Sequence, residues 1–118
     1  MGTWHDPDVP LIFSYGSLQQ EAVQRSMYGR AVRGDPDELV GWVCTRIAVP
    51  AWHKAAAAGL SHYANVVPDT QGRVAGTVFE ITDDELAATD AYERDAEYAR
   101  VATVLASGRT AWVYVSQG

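Results

Sequence analysis

Cys44 is the only cysteine in the chain, so no disulfide can form within it. That favours a reducing compartment, and a cytoplasmic location is the expectation. Residues 1–10 lack the basic segment and apolar run of a secretory leader. No apolar stretch is long enough to span a bilayer, so no membrane association is expected. Positive charge is in deficit, with a formal net charge of -6. A partner that tracks phosphates needs a basic face, so nucleic acid is not an expected partner. A small substrate meets only local charge and is unaffected by this balance.

Several chemical signatures are also missing. His5, His53 and His62 show no metal-ligand spacing and no Cys-x-x-Cys accompanies them, so no metal is expected. Ser17 does not lie in a Gly-x-Ser-x-Gly elbow. Neither a Gly-x-x-x-x-Gly-Lys loop nor a Gly-x-Gly-x-x-Gly fingerprint occurs, and no cofactor is expected. There is no internal repeat, low-complexity tract or linker.

What remains is one domain. The 118 residues are 47% hydrophobic and 20% charged, enough to bury a core without disulfides or metal. Residues 1–10, with two prolines, read as a loose leader before a single domain over 11–118. Leu11 to Tyr15 reads as a strand that stops at Gly16. Gln19 to Tyr28 reads as a helix with Val23 and Met27 on one face and Gly29 as its stop. Arg33 to Asp37 is a turn cluster, and Leu39 to Val49 a strand with Gly41 at a bulge. Cys44, inside that apolar strand, is expected to be a buried, inert thiol. Pro50 to Asn65 reads as an irregular excursion, and Asp69 to Gly72 as a turn.

Val74 to Ile81 alternates as a strand. Thr82 followed by Glu85 forms a capping box for a helix running to about Tyr92. Tyr98 to Ala106 and Thr110 to Ser116 form a hairpin through Ser107-Gly108. Trp42, Tyr63, Trp112 and Tyr114 read as core or cavity wall. The expected fold is α+β: a small mixed, mostly antiparallel, β-barrel-like sheet with short flanking helices.

Two constellations carry chemical promise. The first is Tyr15-Gly16-Ser17-Leu18, where a strand turns sharply into a helix. Unpaired backbone N–H groups at such a turn can hold a carboxylate or an oxyanion. Ser17 either adds a hydroxyl donor or serves as the helix cap. On spacing alone, an ordinary strand–turn–helix junction is the commoner explanation. The second is Asp90 to Arg100. If Leu86 faces the core, Glu93 lies seven residues on at nearly the same helical angle. A carboxylate desolvated there becomes a usable acid or base near neutrality. The alternative is a helix ending before Glu93, with the side chain paired to Arg94, Arg100 or water.

Taken together, the motifs resemble those of the γ-glutamylcyclotransferase-like family. Phe13-Ser14-Tyr15-Gly16-Ser17-Leu18 is similar to its signature loop. Val74-Ala75-Gly76-Thr77-Val78-Phe79-Glu80-Ile81 resembles its V-x-G-x-v-y-x-i strand. Asp83 to Leu86, then Asp90-Ala91-Tyr92-Glu93 and Tyr98-Ala99-Arg100-Val101, resemble its acidic helix and the strand after it. Ala111 to Val115 resembles its last strand, so the likeness runs from Leu11 to Val115. It implies a small β-barrel with flanking helices. It also implies release of an amine from a γ-glutamyl amino acid, peptide or amine, with formation of 5-oxoproline by cyclotransferase (lyase-type) chemistry. Glu93 would be the catalytic acid/base, and Tyr15, Gly16, Ser17 and Leu18 would hold the glutamyl group. Thr89 stands where the family pattern has leucine, and Arg94-Asp95 follow the glutamate where glycine is frequent. Those departures define the alternative, a non-catalytic module that binds a γ-glutamyl-like or other small carboxylate. The amine released and the oligomeric state are not specified by the residues.

Overall fold

The computed structural model describes residues 9–48, 62–95 and 97–117. The chain folds as β1 (Leu11–Ser14), a single 3-10 turn (Ser17–Gln19), α1 (Glu21–Tyr28), β2 (Gly34–Ala48), β3 (His62–Glu80), α2 (Asp83–Arg94), β4 (Tyr98–Val104) and β5 (Thr110–Ser116). The leader assigned to residues 1–10 lies outside the described residues, apart from Val9 and Pro10.

The five strands form one sheet in the order β2-β3-β1-β5-β4. Only β1 and β5 run parallel; the other three pairings are antiparallel. The expected α+β fold is therefore present. The sheet curls but does not close. Its two edges, β2 and β4, meet through one bridge, Leu39 with Leu105, beside an Ala106 N–H bond to the Glu38 carbonyl at 2.9 Å. Ser107 Oγ donates to Asp37 Oδ2 at 2.5 Å and reinforces that seam.

β1 is central and buried on both faces, which is why its sequence reads as an unbroken apolar run. Leu11 and Phe13 enter the concave core with Leu39, Val74, Val78, Leu105 and Val113. Ile12 points the other way and packs with Leu18, Phe79, Ile81, Leu86, Tyr98 and Tyr114 beneath the helices. Burial of a side chain such as Phe13 or Ile12 contributes about 1.5–3 kcal/mol. Gly76 explains itself here: a Cβ on it would lie 2.3 Å from the Ser14 carbonyl and 2.6 Å from the Phe13 ring. β1 lies this close to β3 because that position has no side chain.

Local signals held where the physics is local. Thr82 Oγ1 accepts the Glu85 N–H at 3.1 Å, and Glu85 Oε1 accepts the Thr82 N–H at 2.9 Å, a complete capping box. Gly29 ends α1 in the left-handed region at φ 74. Gly41, at φ 87, sits where the β2–β3 register shifts.

Three readings are corrected. Arg33 to Asp37 is not a turn: from Gly34 onward it is the start of β2 and pairs with Phe79 to Gly76. Pro36 is tolerated because β2 is an edge strand. Asp69 to Gly72 is not a connection between elements but a bulge inside β3, between the pairs Val40–Arg73 and Trp42–Pro68. Asp69 Oδ1 accepts the Gln71 N–H at 2.9 Å in that bulge, so its turn chemistry is real although its place was not foreseen. The excursion assigned to 50–65 lies mostly outside the described residues, and its last part, 62–65, is strand.

Candidate functional site

α2 runs to Arg94, so Glu93 is inside its last turn. Leu86 and Thr89 are buried on the same helix, and the inward stripe continues through Asp90 to a half-buried Glu93. Among the described residues, no hydrogen bond or ion pair engages the Glu93 carboxylate, and Arg94 is exposed without pairing to it. Burial raises the Glu93 carboxyl to about 7. The cause is lost hydration with no cation to offset it.

Three phenols lie within electrostatic reach of Glu93: Tyr15 at the end of β1, Tyr28 at the end of α1 and Tyr114 on β5. Burial is the main reason all three are pushed up from the ordinary phenol value. Tyr15 Oη donates to the Tyr114 carbonyl at 2.7 Å, which ties the signature turn to β5. Tyr114 Oη donates to Asp90 Oδ1 at 2.8 Å. Asp90 Oδ2 accepts from Arg100 Nη1 at 2.8 Å, and the Arg100 guanidinium lies 4.5 Å from the centre of the Trp112 ring. This chain of contacts docks the last two turns of α2 onto β4 and β5. It also accounts for the Asp, Tyr and Arg that accompany Glu93: Tyr98 Oη donates to the Ala64 carbonyl and holds β3 against the same end.

The turn itself is a 3-10 helix capped by Gly16, so Ser17 is not its cap. Gly16 N–H donates to Ser14 Oγ at 3.2 Å. Among the described residues, the N–H groups of Ser17 and Leu18 have no acceptor. The Ser17 side chain is exposed, whereas Leu18 is buried and contributes only its backbone to the turn's open side. Gln24, also buried, fixes the turn from below. Its amide donates to the Leu18 carbonyl at 2.8 Å and accepts the Val32 N–H at 3.0 Å.

Of the residues expected at the site, Tyr15 in the turn and Glu93 on α2 lie within electrostatic reach of each other. The sequence reading has Asp90 to Arg100 as one constellation and Tyr114 as core or cavity wall, without the bonds that join Tyr114, Asp90 and Arg100 and without Tyr28. Asp90 carried a usable signal, since it precedes Glu93 by three residues on one helical face. Cys44 departs from expectation: it is exposed, on the edge strand, within electrostatic reach of Tyr15. No group of three or more metal-ligating side chains occurs among the described residues. No helix among them is long and apolar enough to cross a membrane.

A family model described as "Gamma-glutamyl cyclotransferase, AIG2-like" matches residues 12–118. No curated sequence matches the chain. Among solved structures, an Arabidopsis thaliana protein aligns with TM-score 0.73 at 26% identity, covering 97% of this chain and 72% of that one. Protein ytfP of Escherichia coli aligns at 30% identity and TM-score 0.61, covering 92% and 83%. A structure named gamma-glutamyl cyclotransferase shares the fold, with TM-score 0.69 at 16% identity over 93% of this chain and 68% of its own.

Proposed function

The chain belongs to the gamma-glutamyl cyclotransferase, AIG2-like family, and on that premise we propose that it converts a γ-glutamyl amino acid, peptide or amine into 5-oxoproline and free amine. The observation that carries this reading is Glu93: a half-buried carboxylate with no bonded partner among the described residues, raised to about 7 and within electrostatic reach of Tyr15.

The reaction asks little covalent chemistry of the protein. The substrate's α-amino nitrogen attacks its own γ-carbonyl carbon, a five-membered ring closes, and the bond to the leaving amine breaks. Because attack is intramolecular, holding the glutamyl chain in a folded shape supplies much of the acceleration. The open N–H groups of Ser17 and Leu18 suit a carboxylate or the oxyanion that develops on the γ-carbonyl oxygen. Glu93, as carboxylate, takes a proton from the attacking ammonium. The resulting acid returns a proton to the leaving amine, so the group ends each cycle as it began. A carboxyl near 7 serves both transfers at neutral pH. Tyr15 and Tyr114 provide wall for the aliphatic stem. Ser17 is not a nucleophile in this scheme; it acts through its backbone.

The test is 5-oxoproline release from a panel of γ-glutamyl substrates, with Glu93→Gln as the control. The expected loss in kcat is about 10²–10⁴-fold, the usual contribution of a positioned acid/base. Full activity in Glu93→Gln refutes the mechanism. Tight binding of γ-glutamyl compounds with no turnover in the native protein identifies a binding module instead.

A further inference from the structure

Each phenol around Glu93 has one proton, and each proton is engaged elsewhere. Tyr15 gives its proton to the Tyr114 carbonyl, and Tyr114 gives its own to Asp90. Tyr28 requires an assignment, since its Oη lies 2.6 Å from Thr89 Oγ1 and either atom is able to donate. Thr89 settles it. Its single hydroxyl proton points to the Glu85 carbonyl at 2.7 Å, an oxygen with no proton to offer. Tyr28 is therefore the donor. Thr89 is fully buried and Tyr28 partly so, which places their bond at the inner end of the phenol.

Thr89 and Glu93 are four residues apart on α2, so their side chains are neighbours on one helix face. Tyr28 reaches that face from α1 and is within electrostatic reach of Glu93. We propose that Thr89 is a positioning residue acting through Tyr28: it holds the phenol proton away from Glu93, so that no donor stabilises the carboxylate before substrate arrives. A phenol donating to Glu93 would favour the ionised form and weaken it as a base. Withholding the proton leaves the carboxylate's hydrogen-bonding capacity for the substrate ammonium. The proposal rests on the acid/base role given to Glu93 above.

The titratable groups within electrostatic reach of Glu93 are Tyr15 from the end of β1, Tyr28 from α1 and Tyr114 from β5. Behind them, Arg30 and Glu85 lie near Tyr28, while Arg100 and Asp90 lie near Tyr114. Glu85 is itself bound by Arg30 through two bonds, at 2.8 and 2.7 Å, and is not available to take the Tyr28 proton through its side chain. Thr89 is the acceptor that decides where that proton goes.

The experiment follows the Glu93 carboxyl carbon by NMR through a pH titration, in the native chain and four variants. Thr89→Val keeps the shape and removes the acceptor, so Tyr28 turns its proton to Glu93. The expected midpoint falls by about one pH unit, the effect of one hydrogen bond to the charged form. Thr89→Ser retains the native midpoint. The double variant Thr89→Val/Tyr28→Phe restores it, because no phenol proton is left to redirect. Thr89→Ala frees the same phenol in a less crowded pocket and is read in place of Thr89→Val if that variant does not fold. An unchanged midpoint in the folded Thr89→Val or Thr89→Ala variant overturns the proposal. So does a double variant as low as the single one. The titration needs no turnover, so its failure is distinct from failure to release 5-oxoproline, which would instead refute the proposed function. Where turnover is present, the acid limb of kcat/KM moves with the NMR midpoint.

Discussion

Replacing Glu93 by glutamine should make the protein more stable, and only above a certain pH. Glu93 is ordinary in the unfolded chain, near 4.5, and raised to about 7 in the fold. Between those values the folded state holds a proton that the unfolded state has released. Stability therefore falls as pH rises through this window. Glutamine has nearly the same shape and cannot ionise. The stability of Glu93→Gln relative to the native chain should be flat below about 4.5, rise through the window and level off above 7. The full rise is ~3 kcal/mol, from 1.36 kcal/mol for each pH unit between the two values. In a domain of this size that is roughly ten degrees in Tm. Other titrating groups, including Glu85 held low by Arg30, cancel in the difference between the two proteins. Urea unfolding at a series of pH values gives the curve directly, and unchanged m-values exclude altered compactness. Parallel native and variant curves across the window would refute the reasoning, because they would mean that Glu93 loses no hydration on folding.

Two further outcomes follow from packing and polar satisfaction. Gly76→Ala drives a Cβ into the Ser14 carbonyl and the Phe13 ring, so it should destabilise by well over the ~1 kcal/mol scale of strand propensity, read as a lowered urea midpoint. Gln24→Leu leaves the Leu18 carbonyl and the Val32 N–H without partners; it should cost ~2–5 kcal/mol in urea unfolding and raise KM more than it lowers kcat.

The legible parts of this protein are those set by neighbours in sequence. Thr82 and Glu85 announce their helix because a capping box spans four residues. Glu93 was readable because seven residues return a helix to nearly the same angle. Arg33 to Asp37 misled because a Gly-Asp-Pro-Asp cluster is a turn only if no distant strand claims it, and here β3 does. Cys44 misled in the opposite way: its apolar neighbours suggested a core, but they form an edge strand with an exposed side. Two hydrogen bonds around the candidate site join residues 61 and 99 positions apart, Tyr28 to Thr89 and Tyr15 to Tyr114. Periodicity and propensity carry no information about such pairs. The turn residues were therefore visible, whereas the protons around Glu93 were not.

The parallel pairing of β1 with β5 has a kinetic consequence. β1 carries the signature turn, yet its two neighbours in the sheet are β3 and β5, which enter through residues 77–80 and 112–113. During synthesis, Leu11, Ile12 and Phe13 emerge before both partners: the β3 side waits for residues 77–80, and the β5 side stays open until residues 112–113 have been made. Pairing over such a separation is slow to nucleate. In that interval the most apolar strand of the protein is an unsheltered adhesive segment, open to chaperones and to other nascent chains. The site is consequently one of the last features to be assembled, and a ribosome stalled before β5 would release a chain with the turn's sequence but not its shape.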